Sequence, residues 1–213
     1  MFASALSAAI VGMDVYPVLV EADVSDGLPS FTMVGFPSAQ VREAQDRVRT
    51  ALKNKGFRLP PKRITVNFAP ADIKKEGAGF DLPVAAAVLA AAGILTPELL
   101  KGVMLLGEIS LNGEIYPVPG VLPVVLKARE TGCRFCMIPA GNFNEGRLIS
   151  DMRVIGVQNL DEMIRFLRNP EAFSGIPGEN PTYVPEDTVD FSEIRGQEGA
   201  RRAVEIAVSG FHN

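Results

Sequence analysis

The sequence predicts an α/β protein, a mixed α+β sandwich, and three observations point there. Segments with a two-residue apolar period interleave with segments of helical period along the first 170 residues, as when helices are laid on a sheet. An Asn112-Gly113 dipeptide between two apolar runs marks a hairpin, which a purely parallel sheet does not contain. The chain has 213 residues, 47% of them hydrophobic, enough for one well-packed domain and an extension.

The elements follow in order. Ser4 to Val34 reads as strands joined by turns: Val18, Val20, Ala22 and Val24 alternate with Leu19, Glu21 and Asp23, Ser25-Asp26-Gly27 turns the chain, and Phe31 to Val34 returns. Ser38 caps a helix whose apolar spacing is Val41, Ala44, Val48, Ala51, Leu52, with Gly56 ending it. Arg63 to Phe68 is a strand presenting Ile64, Val66 and Phe68 on one face. A polar loop from Pro70 to Gly79 precedes a helix that Asp81 can cap, with Pro83 in its first turn and alanines through Ala92. The Asn112-Gly113 hairpin is expected to close with a two-residue turn, both positions tolerating positive φ. A helix from Val121 to Glu130, a strand through Cys136, a short segment near Asn142 to Leu148, a strand at Arg153 to Val157 and a helix from Leu160 to Leu167 complete the domain.

Charge is unevenly spread. The net charge of −4 and pI near 5.2 argue against wholesale binding to nucleic acid or an anionic membrane. Between Arg42 and Lys75, however, ten Lys/Arg face three acidic residues. Arg42, Arg47, Arg49, Lys53, Lys55, Arg58, Lys62 and Arg63 are therefore candidate contacts to DNA, against the plainer reading that they solvate an outer face. Met1 to Met13 lacks the basic start and cleavage site of a signal peptide. The uncharged stretch Leu82 to Pro97 is shorter than the roughly 20 residues that span a bilayer. A cytoplasmic protein without membrane partners is expected.

Cys133 and Cys136 form C-x-x-C, but a structural zinc site needs four ligands and the one histidine, His212, is remote in sequence. Both cysteines are expected to sit on a buried strand, facing opposite sides, as core residues rather than metal ligands. No metal site is expected.

After Arg168 the composition shifts. Residues 170–189 carry Pro170, Pro177, Pro181 and Pro185 among Glu171, Glu179, Glu186 and Asp187, an acidic extended linker. A helix starting near Gln197 then places Ala200, Val204 and Val208 on one stripe and ends at Gly210. No G-x-x-x-x-G-K-[ST] occurs in the chain, so no loop of that type cradles a triphosphate and no cofactor of its own is expected.

Lys75-Glu76-Gly77-Ala78-Gly79 with the alanine-rich helix, and Gly107-Glu108-Ile109-Ser110-Leu111-Asn112-Gly113-Glu114-Ile115-Tyr116-Pro117-Val118-Pro119-Gly120, resemble the two signature stretches of the Lon protease domain. The resemblance implies a Lon-protease-like, ribosomal protein S5 domain 2-like fold over residues 1–169. It aligns Gly79 with the family's nucleophilic serine and Leu122 with its lysine base, so the catalytic pair is absent. Lys127, five positions on, is rotated by about 140° from Leu122 and cannot replace it. Lys75 lies in the first stretch, but a base without a nucleophile is insufficient.

The opening Ser-Ala-Ala-Ile-Val-Gly-Met-Asp-Val-Tyr-Pro-Val-Leu-Val-Glu-Ala-Asp, the Lon-like stretches, the acidic linker and Asp190-Phe191-Ser192-Glu193-Ile194-Arg195-Gly196-Gln197 together resemble the ComM/YifB family of magnesium chelatase-like AAA+ proteins. That implies residues 190–213 begin an AAA+ domain ahead of its Walker A loop, with Ile194, Arg195, Gly196 and Gln197 near the adenine. It also implies ATP and magnesium as cofactors of the whole protein, a homohexamer, and DNA branch migration in natural transformation. Two other readings stay open at this stage. One is a serine-lysine peptidase with a displaced pair, for which Ser110 and Ser25 are available. The other is a subunit of a metal-inserting chelatase.

Overall fold

A long antiparallel hairpin, β1 (Phe2–Val11) and β2 (Asp14–Ser25), forms the spine of the computed structural model. The structure describes residues 1–172, 191–193 and 195–211, in two units, Met1–Glu179 and Asn180–Asn213. In the first unit the further strands are β3 (Ser30–Val34), β4 (Arg63–Ala69), β5 (Val103–Leu105), β6 (Glu108–Ile109), β7 (Ile115–Tyr116), β8 (Phe135–Pro139) and β9 (Val154–Val157). Seven make one sheet in the order β3-β4-β2-β1-β5-β8-β9, and β6 pairs with β7 in a small ribbon. Parallel pairing joins β3 to β4, β1 to β5, β5 to β8 and β8 to β9, while β2 pairs antiparallel with both neighbours. The fold is mixed α/β.

Five helices cover the sheet: α1 (Ala39–Asn54), α2 (Asp81–Ala91), α3 (Val121–Glu130), the single turn α4 (Phe143–Gly146) and α5 (Leu160–Arg168). Strand alternation decides which face each helix meets. Ala3, Ala5 and Ala9 of β1 and Val18, Val20, Ala22 and Val24 of β2 join one core with α1, α2 and α5. Ala8, Met104, Cys136 and Ile138 point the other way, onto Val121, Val124, Val125 and Ala128 of α3. Every residue of α2 is buried, and beyond Asp81 at its start the helix is apolar on all sides. Its alanines meet the alanines of β1, so helix and strand approach closely with little side chain between them.

Ser7 interrupts that alanine face. Its side chain is wholly buried, and among the described residues its hydroxyl is the one buried side-chain polar atom without a hydrogen-bond partner. Desolvating a hydroxyl without compensation is unfavourable, so Ser7→Ala is expected to stabilise the chain by about 1 kcal/mol in urea unfolding. An unchanged or lower midpoint would show that the hydroxyl is satisfied in solution.

Most sequence expectations coincide with these elements. Ser38 caps α1, its Oγ accepting the Val41 N–H at 3.3 Å, and α3 spans Val121–Glu130. Three local expectations do not hold, one of them the Asp81 cap, since Asp81 lies inside α2 and makes no side-chain cap bond. The β6–β7 turn is not two residues long: the Gly113 N–H donates to Ser110 O and the Ser110 N–H to Glu114 O, each at 2.9 Å. Three residues, 111–113, therefore form the loop, and Gly113 (φ 85°) alone takes the left-handed conformation; Asn112 does not. Nor do the two cysteines share a strand. Cys133 precedes β8, and both pack against the α3 core rather than facing opposite sides. Burial, with Cys133 close by, pushes the Cys136 thiol up to about 12, so it stays protonated and is a core group, not a thiolate ligand.

The linker predicted for 170–189 begins as a short turn, Pro170–Ala172, to which Arg153 is tied through Pro170 O and Glu171. Residues 173–190, with Pro177, Pro181 and Pro185, lie outside the described residues. In the second unit α6 (Glu198–Ser209) forms where the sequence predicts a helix, and Val204, Ile206 and Val208 on it are exposed. Among the described residues no helix is long and apolar enough to cross a membrane.

Candidate functional site

The two signature stretches meet at Gly79. This residue lies in the short turn Ala78–Phe80 that leads into α2. The Gly107 N–H donates to Gly79 O at 2.9 Å, and the Leu82 N–H donates to Gly107 O at 3.0 Å, stitching the second stretch onto the first. A Cβ built at position 79 would stand 2.7 Å from Leu106 Cδ1, well inside van der Waals contact. Leu106 is itself 6% exposed and packs with Val118 and Val121 at the start of α3. A side chain at this position would therefore require Leu106 to shift.

Leu122 is half-buried on the first turn of α3, and its backbone N–H donates to Glu145 Oε1 at 2.9 Å. Lys127 is paired with Glu130 at 2.6 Å further along the same helix. The two alternative serines are placed elsewhere. Ser110 Oγ bonds Asn112 Oδ1 and the backbone of Glu114 within the hairpin turn, and Ser25 pairs with Arg63 at the end of β2. Among the described residues no lysine amine is hydrogen-bonded to a serine hydroxyl.

Two buried charges frame this region, and neither role was legible in the sequence. Asp81 does not cap α2 with its side chain; it is the first residue of the helix and is wholly buried. Its carboxylate accepts two bonds from Arg47, Nε to Oδ2 at 2.8 Å and Nη2 to Oδ1 at 2.9 Å, and a third from the Ile109 N–H at 3.1 Å. One carboxylate so joins α1, α2 and β6. Burial pushes its pKa above the ordinary carboxylate value, while Arg47 and the Ile109 amide pull it back. Lys75 is also wholly buried, its amine donating to Gly35 O at 3.0 Å and to Pro70 O. Desolvation holds that amine below the usual lysine value. Two of its three donors go to backbone carbonyls, which makes Lys75 a pin between two loops.

The eight basic candidates separate into groups. Arg47 is committed to Asp81, and Lys55 to Asp161 (3.0 Å) and Glu114 (3.9 Å). Arg42 donates to Pro37 O, and Arg63 stands on the edge of the β2–β4 pair. Arg49, Lys53, Arg58 and Lys62 are exposed and line a single cleft. In the second unit Arg195, Gly196 and Gln197 are exposed, with Gly196 and Gln197 in left-handed conformations just before α6; Ile194 lies outside the described residues. Among the described residues no group of three His, Cys, Asp or Glu side chains is placed to hold a metal ion.

Comparison with known proteins gives the same relatives that these features suggest. The family described as "Subunit ChlI of Mg-chelatase" matches residues 20–142. The Competence protein ComM of Haemophilus influenzae is 41% identical over 211 residues, covering 97% of this chain and 41% of that protein. The uncharacterized protein YifB of Escherichia coli is 39% identical, covering 96% of this chain and 40% of that protein. Lon protease 2 of Bacillus subtilis is 27% identical, covering 68% of this chain and 27% of that protein. The chain spans about two fifths of the length of the ComM and YifB relatives it matches.

Proposed function

Because the chain belongs to the ComM/YifB family of magnesium chelatase-like proteins, we propose that residues 1–169 are a non-catalytic assembly domain of an ATP-driven, DNA-processing ring. The observation that carries this reading is Leu106 standing where a side chain at Gly79 would project, at the position that the Lon resemblance gives to the nucleophile. A Lon-like frame without the reacting pair is suited to holding subunits and substrate in place. Residues 190–213 begin the ATPase domain, in which Arg195, Gly196 and Gln197 approach the adenine of ATP bound with magnesium. DNA branch migration, as a homohexamer in the cytoplasm, is the activity proposed for the whole protein. The likeness to a competence protein supports the DNA-related part of this reading.

Mass measurement in solution tests the assembly role. The longer protein that contains this chain is expected to form six-membered rings with ATP and magnesium, and removal of residues 1–169 is expected to lower the ring fraction at least about tenfold at equal concentration, a change worth ~1.4 kcal/mol. Rings that form equally well without these residues would rule the assembly role out.

A further inference from the structure

The cleft shared by four of the basic residues is a built feature rather than a scatter of surface charge. Its volume is about 680 Å³, and it lies between the last turns of α1, the loop that follows and β3. Arg49, Lys53, Arg58 and Lys62 supply its cations, and among the described residues no carboxylate lines it. Phe31, Phe57, Leu59 and Ile64 supply an apolar floor, with Phe57 half-buried and so offering part of its ring to a ligand.

Charge pairing separates these residues from their neighbours. Arg47 on α1 and Lys55 just past its end are neutralised by carboxylates, whereas among the described residues Arg49, Lys53 and Arg58 have no ion-pair partner. Arg49 and Lys53 are four residues apart on α1, one above the other, where like charges repel. Lys62 holds one exposed carboxylate, Asp26, at 2.9 Å. A ligand bringing several negative charges relieves the repulsion that the fold leaves in place.

We propose that this cleft binds single-stranded nucleic acid, its phosphates on Arg49, Lys53, Arg58 and Lys62 and one base against Phe57. The proposal rests on the DNA-related reading above and gives it a location and a strand preference. The combination of a cationic rim with an aromatic floor is what favours a single strand. A duplex keeps its base faces stacked inside, where Phe57 cannot reach them, whereas an unpaired strand presents both phosphates and a free π-face. The volume is within the range that encloses a drug-sized ligand, so about one or two nucleotides enter and the strand runs on across the surface.

Fluorescence anisotropy with a labelled single strand of about 15 nucleotides, a duplex of the same sequence and a free nucleoside triphosphate tests this on the 213-residue chain. The native chain is expected to bind the single strand more tightly than the duplex. Arg49→Ala/Lys53→Ala/Arg58→Ala is expected to weaken single-strand binding at least about tenfold and to reduce the slope of log affinity against log salt by about 2. Phe57→Leu preserves the apolar contact with the core; it is expected to weaken single-strand binding about five- to tenfold, leaving the salt slope and the weaker duplex binding unchanged. Circular dichroism and urea unfolding confirm that each variant is folded. Lys101→Ala/Arg129→Ala, away from the cleft, is expected to change single-strand affinity less than about twofold.

Binding that survives the triple substitution overturns the cleft while leaving the DNA-related reading standing. Equal binding of duplex and single strand, or of a free nucleotide as tightly as the strand, overturns the strand preference. Absence of all binding at about 50 mM salt removes the DNA-related reading itself, and the cleft proposal with it.

Discussion

Asp81→Ala is expected to lower the unfolding free energy of the chain by about 3–5 kcal/mol at neutral pH, the size of effect seen when one partner of a buried ion pair is removed. Three groups lose their acceptor together: both nitrogens of Arg47 and the Ile109 amide, on elements 34 and 28 residues away in sequence. Arg47 keeps some access to water, so the lower end of that range is expected. Asp81→Asn retains an acceptor oxygen for Ile109 and is expected to lose about half as much. The pH dependence has a definite sign. A carboxyl whose folded pKa is raised gives the fold its full contribution below the unfolded value and loses it as pH rises through the folded value. The stability gap between the native chain and Asp81→Ala is therefore widest at acid pH and narrows as pH rises through the raised pKa. Urea titrations of both proteins at several pH values check this; a gap that widens with pH would reverse the assignment.

Gly79→Ser, the substitution that returns a hydroxyl to the nucleophile position, is expected to destabilise by about 1–3 kcal/mol, the range for overfilling a packed core. The cause is the 2.7 Å approach of Leu106 to any Cβ there. Leu106→Ala removes the obstruction at its own cost of about 2–5 kcal/mol as a core truncation. The two changes combined are expected to cost less than their sum, because the second opens the room the first requires. Additive losses in that double-mutant cycle would mean that Leu106 yields freely and that the position is not closed.

The sequence and the structure agree best where information is local. The Ser38 cap and the spacing of Val41, Ala44, Val48, Ala51 and Leu52 define α1, and alternation through Val18 to Val24 defines β2. Gly79 and Leu122 are likewise legible as residue types in the two stretches, where their roles come from the Lon resemblance alone. What local pattern does not carry is register between distant segments. That Leu106 fills the space beside Gly79 follows from how β5 and the chain after it pack against α2. That Lys75 is buried against two carbonyls, or that Arg47 serves Asp81 and not a ligand, depends on contacts between elements that no periodicity links. The basic stretch shows this most clearly. It reads as one run of charge, yet folding assigns Arg47 and Lys55 to carboxylates and turns Arg49, Lys53, Arg58 and Lys62 toward one cleft. The Asn-Gly turn failed for a smaller reason: the Ser110 hydroxyl and backbone extend the pairing by one residue, and a three-residue loop is what remains.

Hydrolysis of an unfolded protein substrate tests the central claim most directly. It would be measured with the native 213-residue chain, with the longer protein that contains it, and with Ser110→Ala and Ser25→Ala in each. A frame without the reacting pair gives no turnover above the buffer rate in any of them. Turnover by the native protein that disappears on replacing one of these serines would contradict the account.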